Sequence, residues 1–204
     1  QYIYLAEVLK ALGFSAGVIK SFGFKVGTTG GTLQRDNFTI HMGETPLEEF
    51  STDNKFIPVN RLTLVKNLAN QLLVVNDVNM FKLDTPFHWN GTSNIVVQVT
   101  YANPTAATIP TATSNIYSTY SAISSNRTLF TKSDALDMTS INAVATGTRS
   151  LLRTNGYFDV IAGCFNDPIT VELIFTEAPE FVLSADLVNN CQGSPLTKLY
   201  VLTG

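Results

Sequence analysis

The apolar positions of this chain follow two periods. In YIYLAEVLKALG, Tyr4, Leu5, Val8, Leu9 and Leu12 fall on one stripe at helical spacing, and Gly13 stands where a left-handed residue can end a helix. This predicts a short N-terminal helix lying across a sheet. From there the period is two. Phe22, Phe24 and Val26 alternate with Ser21, Gly23 and Lys25, and Phe38, Ile40 and Met42 alternate with Thr39, His41 and Gly43. GTTGG, residues 27–31, reads as a turn joining the two runs into a hairpin.

GETPLEEFSTDNKFIPVN, residues 43–60, carries Pro46 and Pro58 and reads as a loop. Two apolar runs follow it: around residues 68–75 helix and strand fit equally, while 80–83 reads as a strand stopping near Pro86. Asn90-Gly91 is a turn signal, after which Ile95, Val97, Val99 and Tyr101 form an inward strand face. A low-charge linker then leads into alternating Ile116, Ser118, Tyr120 and Ile123. NAVATGTRSLLRTNGYFDVIAG supplies the last strand of a first unit, and Val171, Leu173 and Phe175 alternate at the start of a new pattern.

Thr85 to Tyr101, TPFHWNGTSNIVVQVTY, puts the only tryptophan beside one of two histidines. In an extended chain Phe87 and Trp89 point one way and His88 the other, so a core tryptophan is favoured over one that stacks on a sugar. A metal needs three or four ligands, and neither His41 nor His88 has an acidic pair at ligand spacing, so no metal is expected. Tyr117 and Tyr120 are further candidates for stacking or adhesion, with strand packing as the favoured reading. No nucleophile elbow, P-loop or C-x-x-C motif occurs, and Asp134 and Asp137 read as solvated loop charges rather than an acid–base pair. No catalytic residues and no cofactor are expected. Asn37, Asn90 and Asn126 begin N-glycosylation triplets, which chance supplies readily in a chain rich in Asn and Thr.

Composition narrows the class. With 204 residues, 45% hydrophobic and 14% charged, the chain can bury a core and fits one or two domains. A net charge of -3 without a basic cluster argues against nucleic acid, and no apolar run reaches the ~20 residues of a membrane-spanning helix. The opening at Gln1 reads as a mature or excised segment. Low charge with abundant Thr, Asn, Ser and Gly leans towards an extracellular β-protein. Cys164 and Cys191 could form one bridge or remain two separate buried thiols.

The order YLAEVLKALGFSAGVIKSFGFKV, NFTIHMGET and FKLDTPFHWNGTSNIVVQVTY resembles the β-jelly-roll modules of large secreted surface proteins of Bacteroidota. The likeness covers about residues 1–163, although the usual RPNI ending appears only as LLRTNGYF. APEFVLSADLVNNCQGSPLTKLYVLTG looks like the first strands of the Ig-like repeats that follow such modules, with Cys191 and Gly193 at their C-x-G position. In those repeats that cysteine more often pairs with a later strand. The resemblance implies an all-β fold: an antiparallel β-sandwich (jelly roll) with one short N-terminal helix over 1–163, then an incomplete Ig-like domain over 164–204. It implies a non-enzymatic module of a secreted adhesin, exported by the type IX system, with neighbouring modules, surface glycans or outer-membrane secretion and motility components as partners. An accessory carbohydrate-binding module of a secreted hydrolase is the alternative.

Overall fold

The structure, a computed structural model, describes residues 1–30, 33–102, 115–118, 120–133 and 138–162. It opens with a strand, β1 (Tyr2–Tyr4), a helix, α1 (Ala6–Ala11), and two long strands, β2 (Gly17–Gly30) and β3 (Gln34–Thr45). A 3-10 turn at Val59–Arg61 precedes β4 (Thr63–Leu72), β5 (Val78–Trp89) and β6 (Asn94–Ala102). Shorter strands follow: β7 (Asn115–Ser118), β8 (Tyr120–Ala122) and β9 (Thr128–Phe130). A five-residue helix, α2 (Met138–Asn142), leads to β10 (Thr148–Ser150), β11 (Leu152–Thr154) and β12 (Gly156–Ala162).

These strands make antiparallel sheets. One has six strands in the order β10-β9-β1-β6-β3-β4; a second has the order β12-β2-β5, with β7 pairing the far end of β2; β11 and β8 form a two-stranded ribbon. The alternation read from sequence marks their inner faces. Phe22, Ile19 and Val26 of β2, and Phe38, Ile40 and Met42 of β3, are all fully buried. They belong to one cluster with Phe81, Phe87 and Trp89 of β5 and with Ile95 and Val97 of β6, so the two large sheets share a single apolar core. Phe38 and Phe81 meet across it with ring centroids 4.7 Å apart.

Four local expectations are corrected. Tyr4, the first residue of the helical stripe, lies in strand β1 instead, because Tyr4 pairs Ile95 and Ile3 pairs Val96 on β6. The helix is shorter than the stripe, which leaves Leu12 exposed, while Gly13 does adopt the left-handed φ of +88°. Residues 27–30 continue β2, pairing with β7, and β2 and β3 lie in different sheets, so they form no hairpin. Pro86 does not end β5. That strand is paired on one side only, where a missing N–H is tolerated, and the register slips between Ile19 and Ser21 opposite the proline.

The loop before β4 holds a second core. Phe50 is buried with Ile3, Leu5 and Leu129, and Phe56 and Ile57 pack against them, which covers the outer face of the six-stranded sheet. At the opposite rim the edge strands β4 and β5 are clasped together. Asp84 accepts the Lys66 ammonium at 2.7 Å and the Asn67 backbone N–H at 3.1 Å. Lys66 pairs Ile40, a residue of the inner face, so an edge strand carries a cation directed towards the core side.

Candidate functional site

The tryptophan segment is a corner. β5 ends at Trp89 in one sheet and β6 begins at Asn94 in the other, so Asn90-Gly91 carries the chain across the core instead of closing a hairpin. Asn90 organises the bend: its Oδ1 accepts the backbone N–H groups of Thr92 at 2.7 Å and Ser93 at 2.8 Å. Its own N–H and Nδ2 donate to the two carboxylate oxygens of Glu44, each at 2.8 Å, tying the corner to β3. Gly91 has φ +78°, and a Cβ there would lie 2.8 Å from the Ala16 nitrogen.

Trp89 is 1% exposed, and its Nε1–H donates to the Ser93 carbonyl at 2.7 Å. The crevice beside its ring, between Leu9, Phe14, Ile19, Ile95 and Phe158, has no room for a water molecule. His88 faces outward as its parity requires. Asn90 spends both hydrogens of its side-chain amide on Glu44 and Ser93, so a glycan on that nitrogen would remove one of the two bonds.

The other sequence candidates do not gather around it. Tyr120 lies on the β8–β11 ribbon, opposite Thr154, and is 58% exposed. Tyr117 is placed on β7 opposite Thr28 of β2. Cys164, Cys191, Asp134 and Asp137, and the whole of residues 164–204, lie outside the described residues. His41 sits half-buried on the outer face between Leu64 and Gln98, where burial pushes its pKa down. Among the described residues no three His, Cys, Asp or Glu side chains come together as a metal site. No helix among them is long and apolar enough to cross a membrane.

What sequence reasoning missed is a polar cavity of about 70 Å³ near the opposite end of the core, lined by Tyr2, Phe24, Val99, Tyr101, Ser118 and Thr154. Five strands supply it: β1 brings Tyr2, β2 Phe24, β6 Val99 and Tyr101, β7 Ser118 and β11 Thr154. Ser118 Oγ and Thr154 Oγ1 are 2.8 Å apart, the Tyr2 side chain hydrogen-bonds Thr154, and the Tyr4 hydroxyl donates to the Thr154 carbonyl at 3.0 Å. Arg35 is fully buried behind the cavity; its guanidinium lies 5.3 Å from the Tyr101 ring centroid and hydrogen-bonds that side chain. Burial pushes the Tyr2 and Tyr101 phenols above their ordinary range, so both are neutral near pH 7. The arrangement can hold a ligand by exchange of hydrogen bonds with neutral hydroxyls beside an aromatic floor.

Neither Tyr2 nor Thr154 carries a local signature, and the visible signals were only the alternation that turns Tyr101 inward and places Ser118 in a strand. Comparison with protein-family models, with curated proteins and with solved structures gives no match.

Proposed function

We propose that this chain is a non-enzymatic module of a secreted cell-surface adhesin or filament protein, with residues 1–163 forming a jelly-roll β-sandwich. The observation that supports the reading is the path of the chain between sheets. β2 to β3, β4 to β5 and β5 to β6 each cross from one large sheet to the other, the habit of a jelly roll, and the core between the sheets is apolar. Such a scaffold presents loops at its ends, where binding residues concentrate. Its partners are the other modules of a longer chain, surface glycans, or outer-membrane secretion and motility components.

Surface labelling of intact cells with an antibody to this module, compared between wild type and a strain lacking type IX export, tests the reading. Export-dependent labelling and loss of attachment or gliding on deletion are expected; a protein retained inside the cell overturns it. The second reading, an accessory carbohydrate-binding module of a secreted hydrolase, draws on Tyr120, an aromatic ring 58% exposed on a ribbon outside the large sheets. The full open reading frame separates the two, since further repeats accompany an adhesin and a catalytic domain accompanies a hydrolase. Glycan-array signal lost in Tyr120→Ala would favour the second.

A further inference from the structure

We propose that the cavity between Tyr2, Tyr101, Ser118 and Thr154 binds the vicinal-diol end of a small neutral polyhydroxy compound. It stands whether the chain works as an adhesin or as a hydrolase's accessory module, because it rests on the cavity alone. All four of those polar side chains are hydroxyls, which both donate and accept, so the matching ligand must do the same at short spacing. Two adjacent alcohols do so. The remaining lining is the Phe24 ring and the Val99 methyls, an apolar floor suited to the C–H groups between two alcohols.

Size limits the ligand further. A cavity of about 70 Å³ compares with ~30 Å³ for one water in the liquid. It has room for a diol's two carbons and two oxygens, or for the edge of a sugar ring. Among the described residues no carboxylate or ammonium lines it, and Arg35 is engaged by Tyr101 and the Gln34 carbonyl, to which its Nη1 donates at 2.6 Å. A free carboxylate or phosphate is therefore not the matching chemistry. The site lies apart from Trp89, whose surroundings are closed, and from Tyr120, which is a surface ring.

The test uses the 204-residue chain with ¹³C-labelled tyrosine rings, titrated with 1,2-ethanediol, with methyl glycosides of glucose, mannose and galactose, and with sodium acetate. A saturable shift of the Tyr2 and Tyr101 ring signals is expected with the diol or a glycoside, at a Kd of roughly millimolar for so few heavy atoms. Response to ethanediol alone identifies a free polyol; response to a glycoside identifies a glycan end. Ser118→Ala removes one hydroxyl without adding bulk to the cavity, and it should weaken binding about tenfold. Tyr2→Phe should do the same and decides the matter alone if the first variant does not fold. Linear shifts without saturation, an equal response in the folded variants, or tighter binding of acetate overturns the proposal, as does a cavity that exchanges water only.

Discussion

Replacing Trp89 by alanine removes the largest fully buried side chain of the core. A tryptophan ring buries about 150 to 250 Å², which at about 25 cal/mol per Å² corresponds to roughly 4 to 6 kcal/mol. Large-to-small changes of this type cost about 3 to 5 kcal/mol when the surroundings relax only in part. Here the walls are Leu9, Phe14, Ile19, Ile95 and Phe158 on two sheets and the helix end, held by ladders that leave little freedom to collapse. About 4 kcal/mol is therefore expected, a fall in melting temperature of roughly 8 to 16 °C for a chain of this size. Urea unfolding followed by far-ultraviolet circular dichroism measures it, since Trp89 is the only tryptophan and the variant has no indole emission. Wild-type emission should be blue-shifted and resistant to iodide. Trp89→Phe retains most of the area but strands the Ser93 carbonyl, and it should lose about 1 to 3 kcal/mol. If Trp89→Ala unfolds within about 1 kcal/mol of wild type, the ring does not hold the core and the reasoning fails.

Gly91→Ala places a Cβ 2.8 Å from the Ala16 nitrogen at a φ of +78°, so it should cost about 1 to 3 kcal/mol in the same urea assay; a neutral result would mean the corner is not held as described. His41 should make stability depend on mildly acidic pH. Burial lowers its folded pKa below the ordinary 6.5, so the unfolded chain takes up its proton first, and stability falls as pH drops from about 7 through that value until the folded pKa is passed. His41→Gln should flatten the melting-temperature profile in that window, and profiles of equal slope would refute the assignment. Asp84→Ala frees the Asn67 N–H and the Lys66 ammonium on an edge strand, so light scattering should show stronger concentration-dependent association. Unchanged scattering would mean that the clasp does not guard the edge.

Which residues face the core was legible, because burial of a strand face imposes its period on a few consecutive residues. Phe22, Phe24 and Val26, Phe38, Ile40 and Met42, and the Phe87–Trp89 pair with His88 outward all follow it. Which strand pairs with which was not legible, since the partner lies in a distant segment and alternation is silent about it. The Gly-rich stretch after Val26 and the Asn-Gly turn after Trp89 both suit a hairpin locally, yet each strand they join finds its neighbours elsewhere. Tyr4 stands at helical spacing from Val8 and Leu12, and its pairing with Ile95 on β6 overrides that. Phe50, an aromatic within a charged, proline-marked loop, was the sign of the second core. The cavity was invisible for a plainer reason: its four hydroxyls come from residues 2, 101, 118 and 154 and converge only in the folded chain.

The pairing of β2 with β12 has a kinetic meaning. Gly17 is matched to Ala162 and Phe24 to Gly156, while Tyr2 reaches Thr128, so sheets begun by the first residues are completed by the last ones described. Closing such distant pairs demands most of the chain's loop entropy before any ladder repays it, which places refolding in the range of milliseconds to seconds or slower. Synthesis proceeds at about 5 to 20 residues per second. Residues 17–26, with their buried phenylalanines, meet β5 first and then wait until roughly 7 to 29 s after their own synthesis for β12. A chain emerging end-first from a ribosome thus keeps one edge of β2 without its β12 partner until residue 162 appears.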